Sequence, residues 1–267
     1  MQLSFERRGP SDVTPGSELV LIHGIGSRWQ MWEPVLDRLA AERAVIALDL
    51  PGFGHSAAAP PGRLPGAPGL AALVAEFLEG LGIRRAHVAG NSLGGLVALR
   101  MGAAGRASSV TALSPAGFAS SAESLWSTTS LRVDRWLARR IRPHADRLSE
   151  RAWFRRLAYW QMVGPEARTT PLDVADAIRS LADAPGFEEN LRAAGRERFW
   201  LPRPLHIPVT IAWGDHDHLL LPRQAARAAV RVPGARIVPL PGCGHIPTYD
   251  NPELVARVLL EGCSPRA

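Results

Sequence analysis

Gly90-Asn91-Ser92-Leu93-Gly94 is the stretch of this sequence best suited to chemistry. It follows the apolar run Ala86-His87-Val88-Ala89 and opens into Gly95-Leu96-Val97-Ala98-Leu99-Arg100, which predicts strand, sharp turn, helix. Glycines two residues before and after Ser92 let the backbone fold that tightly and hold the hydroxyl clear of the sheet. The first amides of the new helix favour negative charge there. A serine hydroxyl is a poor nucleophile at neutral pH. It needs a base to take its proton and a third group to orient that base. Two late loops supply candidates: His245 in Pro241-Gly242-Cys243-Gly244-His245, and Asp217 or Asp215 in Gly214-Asp215-His216-Asp217-His218. The chemistry of such a set is acyl transfer. The same Asp-His-Asp-His run could be read as a metal cluster. On an extended strand end, however, the histidines would point away from the aspartates, and no further ligands are evident, so no metal and no cofactor are expected.

A Gly-x-Ser-x-Gly also fits a plain strand-to-helix turn with a capping serine, so the surrounding elements matter. Short apolar runs at Glu18–His23, Ala44–Leu48 and Val110–Leu113 read as buried parallel strands, with a first strand at Ser4–Arg7. Helical periodicity covers Trp32–Leu39 and Leu70–Leu81. The β-α alternation argues for a parallel sheet with helices on both faces. His23-Gly24-Ile25-Gly26 leaves the second strand as a loop whose glycines let backbone amides approach a ligand, making Gly24 and Gly26 substrate-contact candidates. From residue 117 the rhythm stops. Residues 117–205 contain no clear strand and hold five of the eight tryptophans, Trp126, Trp136, Trp153, Trp160 and Trp200, among many arginines. They read as three or four amphipathic helices inserted where ligands bind in such sheets. The expected organisation is a core of residues 1–116 and 206–267 with a helical lid of 117–205. The lid's aromatic underside would line the pocket, with Trp126 and Trp153 as binding candidates. The alternation resumes with strands at Val209–Trp213 and Arg236–Pro239, a helix at Pro222–Val230 and a closing helix from Asn251 to Glu261.

Length and composition fit this picture. A chain of 267 residues, 46% hydrophobic and 21% charged, can bury a large core. All 31 basic residues are arginine against 25 acids, for a net charge of +6. With abundant Ala, Gly and Pro, this suggests a GC-rich coding bias rather than a task for each arginine. No aromatic-interleaved basic motif accompanies the charge, so no nucleic-acid partner is expected. Basic amphipathic helices in 117–205 leave contact with an anionic membrane surface as an alternative. No apolar run nears the ~20 residues of a membrane span, and the first residues lack a signal-peptide pattern. The expectation is a cytoplasmic monomer or homodimer. The two cysteines, Cys243 and Cys263, exclude a disulfide framework and read as small packing residues.

Taken together, His23-Gly24-Ile25-Gly26, Asp49-Leu50-Pro51-Gly52-Phe53-Gly54-His55-Ser56, Gly90-Asn91-Ser92-Leu93-Gly94-Gly95, Trp213-Gly214-Asp215-His216-Asp217 and Gly244-His245-Ile246-Pro247 resemble the α/β-hydrolase superfamily over nearly the whole chain. Serine, then acid, then histidine is that fold's chain order. The resemblance implies Ser92 as nucleophile, His245 as base and then acid, and Asp217 as the orienting carboxylate, with Asp215 the alternative. It also implies an oxyanion hole from the amides of Leu93 and Ile25, with Gly26 second to Ile25, and leaves His23 structural.

The substrate class implied is an ester or related acyl compound of a hydrophobic small molecule. C–C hydrolysis of a vinylogous diketone is the enzymatic alternative. Gly90-Asn91-Ser92 and Trp32 resemble those enzymes, but Ser27-Arg28-Trp29 after the oxyanion loop and Ile246 after the histidine depart from them. Perhydrolysis of the cofactor-free haloperoxidase kind shares the triad. Epoxide hydrolases and haloalkane dehalogenases use Asp at the elbow, and Ser92 argues against both. A ligand-binding protein on the same fold is the non-enzymatic alternative.

Overall fold

A computed structural model of the chain describes residues 1–264 apart from 11, 13 and 15. Seven strands form one sheet: β1 Phe5–Arg8, β2 Leu19–Ile22, β3 Val45–Leu48, β4 Ala86–Asn91, β5 Ala107–Leu113, β6 Val209–Gly214 and β7 Arg236–Leu240. Their order is β1-β3-β2-β4-β5-β6-β7, with β1 antiparallel to β3 and all other pairs parallel. Every side chain of β2 and β3 is buried, as expected of strands covered on both faces. β1 alternates exposed and half-buried side chains at the antiparallel edge.

The helices are α1 Glu33–Ala40, α2 Ala67–Gly80, α3 Leu93–Ala103, α4 Ser121–Ile141, α5 Ala145–Ser149, α6 Ala152–Tyr159, α7 Pro171–Asp183, α8 Phe187–Arg196, α9 Gln224–Arg231 and α10 Pro252–Gly262. One core layer joins the sheet to α2, α3 and α9, and a second joins its other face to α1 and α10. The helix expected from Trp32 begins instead as a tight turn over Trp29–Trp32, and α1 starts beyond it with Pro34 in its first turn. The chain runs from β2 to β3 on one side and returns to place β4 on the other. The loops after β2 and β4 therefore lie side by side at the sheet's carboxyl edge, where such folds bind ligands.

Between β5 and β6 lie α4–α8, five helices where three or four are expected, and among the described residues no strand. They carry a small core of their own that includes Ala138, Tyr159, Val174 and Ile178. Glu123, in the first turn of α4, is buried, caps Ser120 and accepts hydrogen bonds from Arg223 and Arg227 at α9. The burial of α4 reverses the expected pattern. Its inner stripe is Ser124, Ser127, Leu131, Arg135 and Ala138, while Leu125, Trp126, Val133 and Trp136 face outward. All five tryptophans of this stretch are 45–61% exposed, and among them only Trp160 lines the large cavity beneath these helices, which corrects the expectation of a tryptophan underside built from Trp126 and Trp153. Leu131, Phe154, Tyr159, Ile178 and Leu181 are among the large residues that turn inward with Trp160.

Candidate active site

Ser92 sits between β4 and α3 with φ +57° and ψ −116°, a conformation that L residues avoid and that marks stored strain. The strain is held on both sides. The Ser92 amide donates to Leu113 O at 2.9 Å, and its carbonyl accepts from Leu96 N and Ala116 N, each at 3.1 Å. The flanking glycines are required by contact. A Cβ on Gly90 would lie 2.2 Å from Gly94 O, and one on Gly94 would lie 2.2 Å from Ile22 O.

Asp217 and His245 are brought together from the loops after β6 and β7. His245 Nδ1 lies 2.8 Å from Asp217 Oδ2, and both side chains are buried. With a carboxylate as partner, Nδ1 is the donor. The other carboxylate oxygen, Oδ1, accepts from the amides of Leu219 at 3.0 Å and Leu220 at 2.7 Å, which fixes the group's orientation. Asp215 is exposed and accepts instead from Gly242 N at 2.8 Å. His216 is exposed and the His218 ring stacks near Trp160, so the Asp-His-Asp-His run diverges.

The bond between Asn91 Nδ2 and His245 O, 2.8 Å, ties the histidine loop to the residue beside Ser92. A second bond from the same nitrogen, 3.2 Å, reaches Leu113 O. Ser92 Oγ has no hydrogen bond among the described residues, as is common in ligand-free sites where the nucleophile–base contact tightens only with substrate. The amides of Leu93 and Ile25 likewise have no partner among the described residues, and both residues line one small chamber with Ser92. Gly24 lies against Ser92, since a Cβ there would meet Ser92 Cβ at 3.2 Å. Gly26, at φ +70°, lies beneath Leu181 of α7.

His23 is fully buried. Its Nδ1 donates to Gly24 O at 2.6 Å and its Nε2 accepts from Leu50 N at 2.9 Å, the pattern of a neutral ring. Burial pushes its pKa down, against the pull of nearby Asp49. Asp49 in turn accepts from Trp29 N and His55 N, so these two residues brace the loop that carries Ile25.

Asp250 braces the histidine loop. Its two oxygens accept from Gly164 N at 2.8 Å and Gly244 N at 2.7 Å. Burial pushes this carboxyl up to about 6, although both hydrogen bonds work the other way. Sequence reasoning assigned no role to Asn91 or Asp250. Asn91 stood inside the motif, and its position at the end of β4 was the one available signal. No motif marked Asp250, which joins Gly244, six residues before it, to the distant Gly164.

The chamber at Ser92, about 50 Å³, is bounded by Ile25, Leu93, Gly117, Leu131, Leu219 and Leu220 among others. Ile25 and Leu131 also line a much larger cavity of about 450 Å³ beneath α4, α6 and α7. Its wall is mainly apolar, with Leu137, Ile141, Phe154, Ile178 and Ile246. Gly26 and Trp160 line it, but Trp126 and Trp153 line neither cavity. Trp126 Nε1 donates to His218 O at 3.1 Å, and Trp153 packs edge-on against Phe154. The two tryptophans expected to bind substrate thus lie on the outer face.

A parallel sheet with a strained serine after β4 and an acid–base pair at the ends of β6 and β7 defines a hydrolase architecture. The chain belongs to the alpha/beta hydrolase family, whose model matches residues 19–258. It is 33% identical over 251 residues to the dihydrolipoyllysine-residue acetyltransferase component of an acetoin cleaving system from Cupriavidus necator. That match covers 88% of this chain and 61% of the relative, so the chain spans less than two thirds of that protein's length. A 2-hydroxy-6-oxo-2,4-heptadienoate hydrolase from Pseudomonas putida is 37% identical over 91 residues, covering 33% of each chain. A thermophilic esterase from Thermogutta terrifontis matches in fold with a TM-score of 0.72 at 22% identity, over 97% of this chain and 92% of that one. Among the described residues no helix is long and apolar enough to cross a membrane.

Proposed function

We propose that this hydrolase cleaves a carboxylic ester, or a related acyl bond, of a hydrophobic small molecule through an acyl-enzyme on Ser92. The observation that carries the reading is the fixed Asp217–His245 pair, tied by Asn91 to a strained serine that shares its chamber with two unpartnered amides. Ser92 Oγ attacks the carbonyl carbon while His245 Nε2 takes its proton. Asp217 holds Nδ1–H and stabilises the imidazolium that forms. The amides of Ile25 and Leu93 donate to the oxyanion, a contribution of about 10²–10³ in rate per donor. His245 returns the proton to the departing alcohol, then activates water to release the acyl group. The large apolar cavity seats the hydrophobic part of the substrate.

The test is turnover of p-nitrophenyl esters from acetate to decanoate by the wild type and by Ser92→Ala. Loss of about 10⁶ in kcat is expected in the variant, with mass spectrometry locating the acyl group on Ser92. Activity that survives in Ser92→Ala would refute the serine assignment. The partial likeness to a C–C hydrolase gives the second reading, because the same groups could act on a vinylogous diketone. Turnover of such a diketone with none on esters would favour it. The acetyltransferase relative suggests a further check, whether an added thiol accelerates release of the acyl group.

A further inference from the structure

The chain is basic overall, with 31 arginines against 25 acids. Its large cavity has the opposite balance. The charged residues lining it are Asp134, Asp173, Asp176 and one arginine, Arg28. Three of these four are already satisfied. Arg28 pairs with Asp176, which also meets Arg179 at 3.2 Å. Asp173 closes the cap of α7, with Oδ2 2.7 Å from both Thr170 N and Thr170 Oγ1. Asp134 on α4 is different. Among the described residues its carboxylate has no ion pair and no hydrogen bond. The same cavity wall carries Leu131, Leu137, Ala138, Phe154, Leu157 and Trp160.

An unpaired carboxylate against such a wall is desolvated without compensation. Burial pushes the Asp134 carboxyl up to about 6, so at neutral pH the group is still mostly charged. A neutral occupant would deepen that penalty and an anionic one would be repelled. A cation would offset it, and Trp160 and Phe154 put two aromatic rings in the same cavity wall, which adds cation–π attraction where a cation meets a ring face. Leu131 and Asp134 are three residues apart on α4 and share one face. Leu131 borders the Ser92 chamber, so Asp134 lies one turn further from it, about 5 Å along the helix.

We propose that Asp134 sets the specificity of this cavity, and that the preferred substrates are esters whose apolar arm ends in a protonated amine or quaternary ammonium group. This rests on the ester reading above. The cation lies beneath α4 while the ester carbonyl reaches Ser92, so a few methylenes separate them.

A matched pair tests it: p-nitrophenyl 4-(trimethylammonio)butanoate and its neutral isostere, p-nitrophenyl 5,5-dimethylhexanoate. The readout is the ratio of their kcat/KM values, which cancels differences in expression and folding between variants. The ratio should fall about tenfold in Asp134→Asn, mainly through KM of the cationic ester, and be held in Asp134→Glu. An unchanged ratio in Asp134→Asn, or a wild type that favours the neutral ester, overturns the proposal. Calorimetric titration with pentyltrimethylammonium separates this outcome from failure of the ester reading. Binding that weakens about tenfold in Asp134→Asn but persists in Ser92→Ala supports the cation site even if neither ester is turned over. Absent or equal binding in wild type and Asp134→Asn overturns it. If Asp134→Asn does not fold, tighter binding of the cationic than the neutral ester to Ser92→Ala supports the site, and equal binding overturns it.

Discussion

Replacing Asp217 by Asn should inactivate the enzyme without unfolding it, for a reason that can be worked out atom by atom. Asp217 Oδ1 accepts two amide protons, from Leu219 and Leu220, while Oδ2 faces His245 Nδ1. An asparagine has one oxygen. Two fixed N–H donors require it on the Oδ1 side, so its NH₂ must point at His245. Nδ1 then becomes an acceptor and the ring carries its proton on Nε2. That is the wrong tautomer for taking a proton from Ser92. The same substitution in a serine protease triad costs about 10⁴ in kcat, or about 5.5 kcal/mol of transition-state stabilisation. Both loop amides keep an acceptor and the side-chain volume is conserved, so the melting temperature should change by no more than a few degrees. The assay is kcat on the best p-nitrophenyl ester for Asp217→Asn and Asp215→Asn, alongside thermal melts. Asp215 accepts from Gly242 N and lies 3.9 Å from His216 Nε2, both away from His245, and its variant should keep most of its activity. Asp217→Asn retaining a tenth of wild-type kcat, or Asp215→Asn losing as much as Asp217→Asn, would refute the reasoning.

Other outcomes follow from the same geometry. Asn91→Ala leaves the His245 carbonyl without its buried donor, while Leu113 O keeps the Ser92 amide, so stability should drop by about 1–3 kcal/mol in urea titration. Its kcat should also fall by about tenfold or more as the histidine loop loosens. Glu123→Gln should cost about 2 kcal/mol, because it removes the one carboxylate that both Arg223 and Arg227 contact, and those arginines are partly solvated. Burial raises the Glu123 pKa, but the bonds from Arg223 and Ser120 and the charge of Arg227 outweigh it and hold the pKa low. A depressed folded-state pKa stabilises above the ordinary carboxylate range. The gap between wild type and Glu123→Gln should therefore close as pH falls through that range and below it. Burial pushes the Cys243 thiol up to about 12 and Cys263 up to about 11, so neither should react with a disulfide reagent at pH 8 until denaturant is added.

The parts of the site that were legible in the sequence are those fixed by local sterics. Gly90 and Gly94 are forced by contacts within a few residues of Ser92 and with β2, so the elbow is written in the sequence itself. His23 was read as structural and is braced on both ring nitrogens. The choice between Asp217 and Asp215 needed family resemblance, because both follow the same strand and only the fold of the loop turns one inward. Asn91 and Asp250 act on backbone groups of segments distant in sequence, and no local pattern announces such a meeting. Trp126 and Trp136 misled because large apolar residues of α4 fall on more than one side of it. Periodicity cannot choose between a stripe of Leu125, Trp126, Val133 and Trp136 and a stripe of Ser124, Ser127, Leu131 and Ala138. The inner stripe is the smaller one and takes Arg135 inward with it, where it donates to Ala184 O at 2.7 Å and lies over the Phe187 ring.

The insertion of α4–α8 between two neighbouring strands also sets an order of assembly. β5 and β6 are adjacent in the sheet, yet residues 114–208 separate them in the chain. Closing a flexible loop of that length costs about 4 kcal/mol of chain entropy, and such non-local pairings form slowly. The five strands before the insertion already include the elbow, so Ser92, the proposed nucleophile, belongs to the early half of the molecule. Asp217 and His245 belong to the late half and arrive only when β6 and β7 dock. The small core within α4–α8 shortens the gap by collapsing it into a compact spacer. In pulse-labelled refolding, amides of β4 should gain protection before those of β6, and the reverse order would contradict this. A chain caught midway would hold a serine elbow with neither Asp217 nor His245 beside it, so the catalytic set proposed above would be complete only once β6 and β7 have docked.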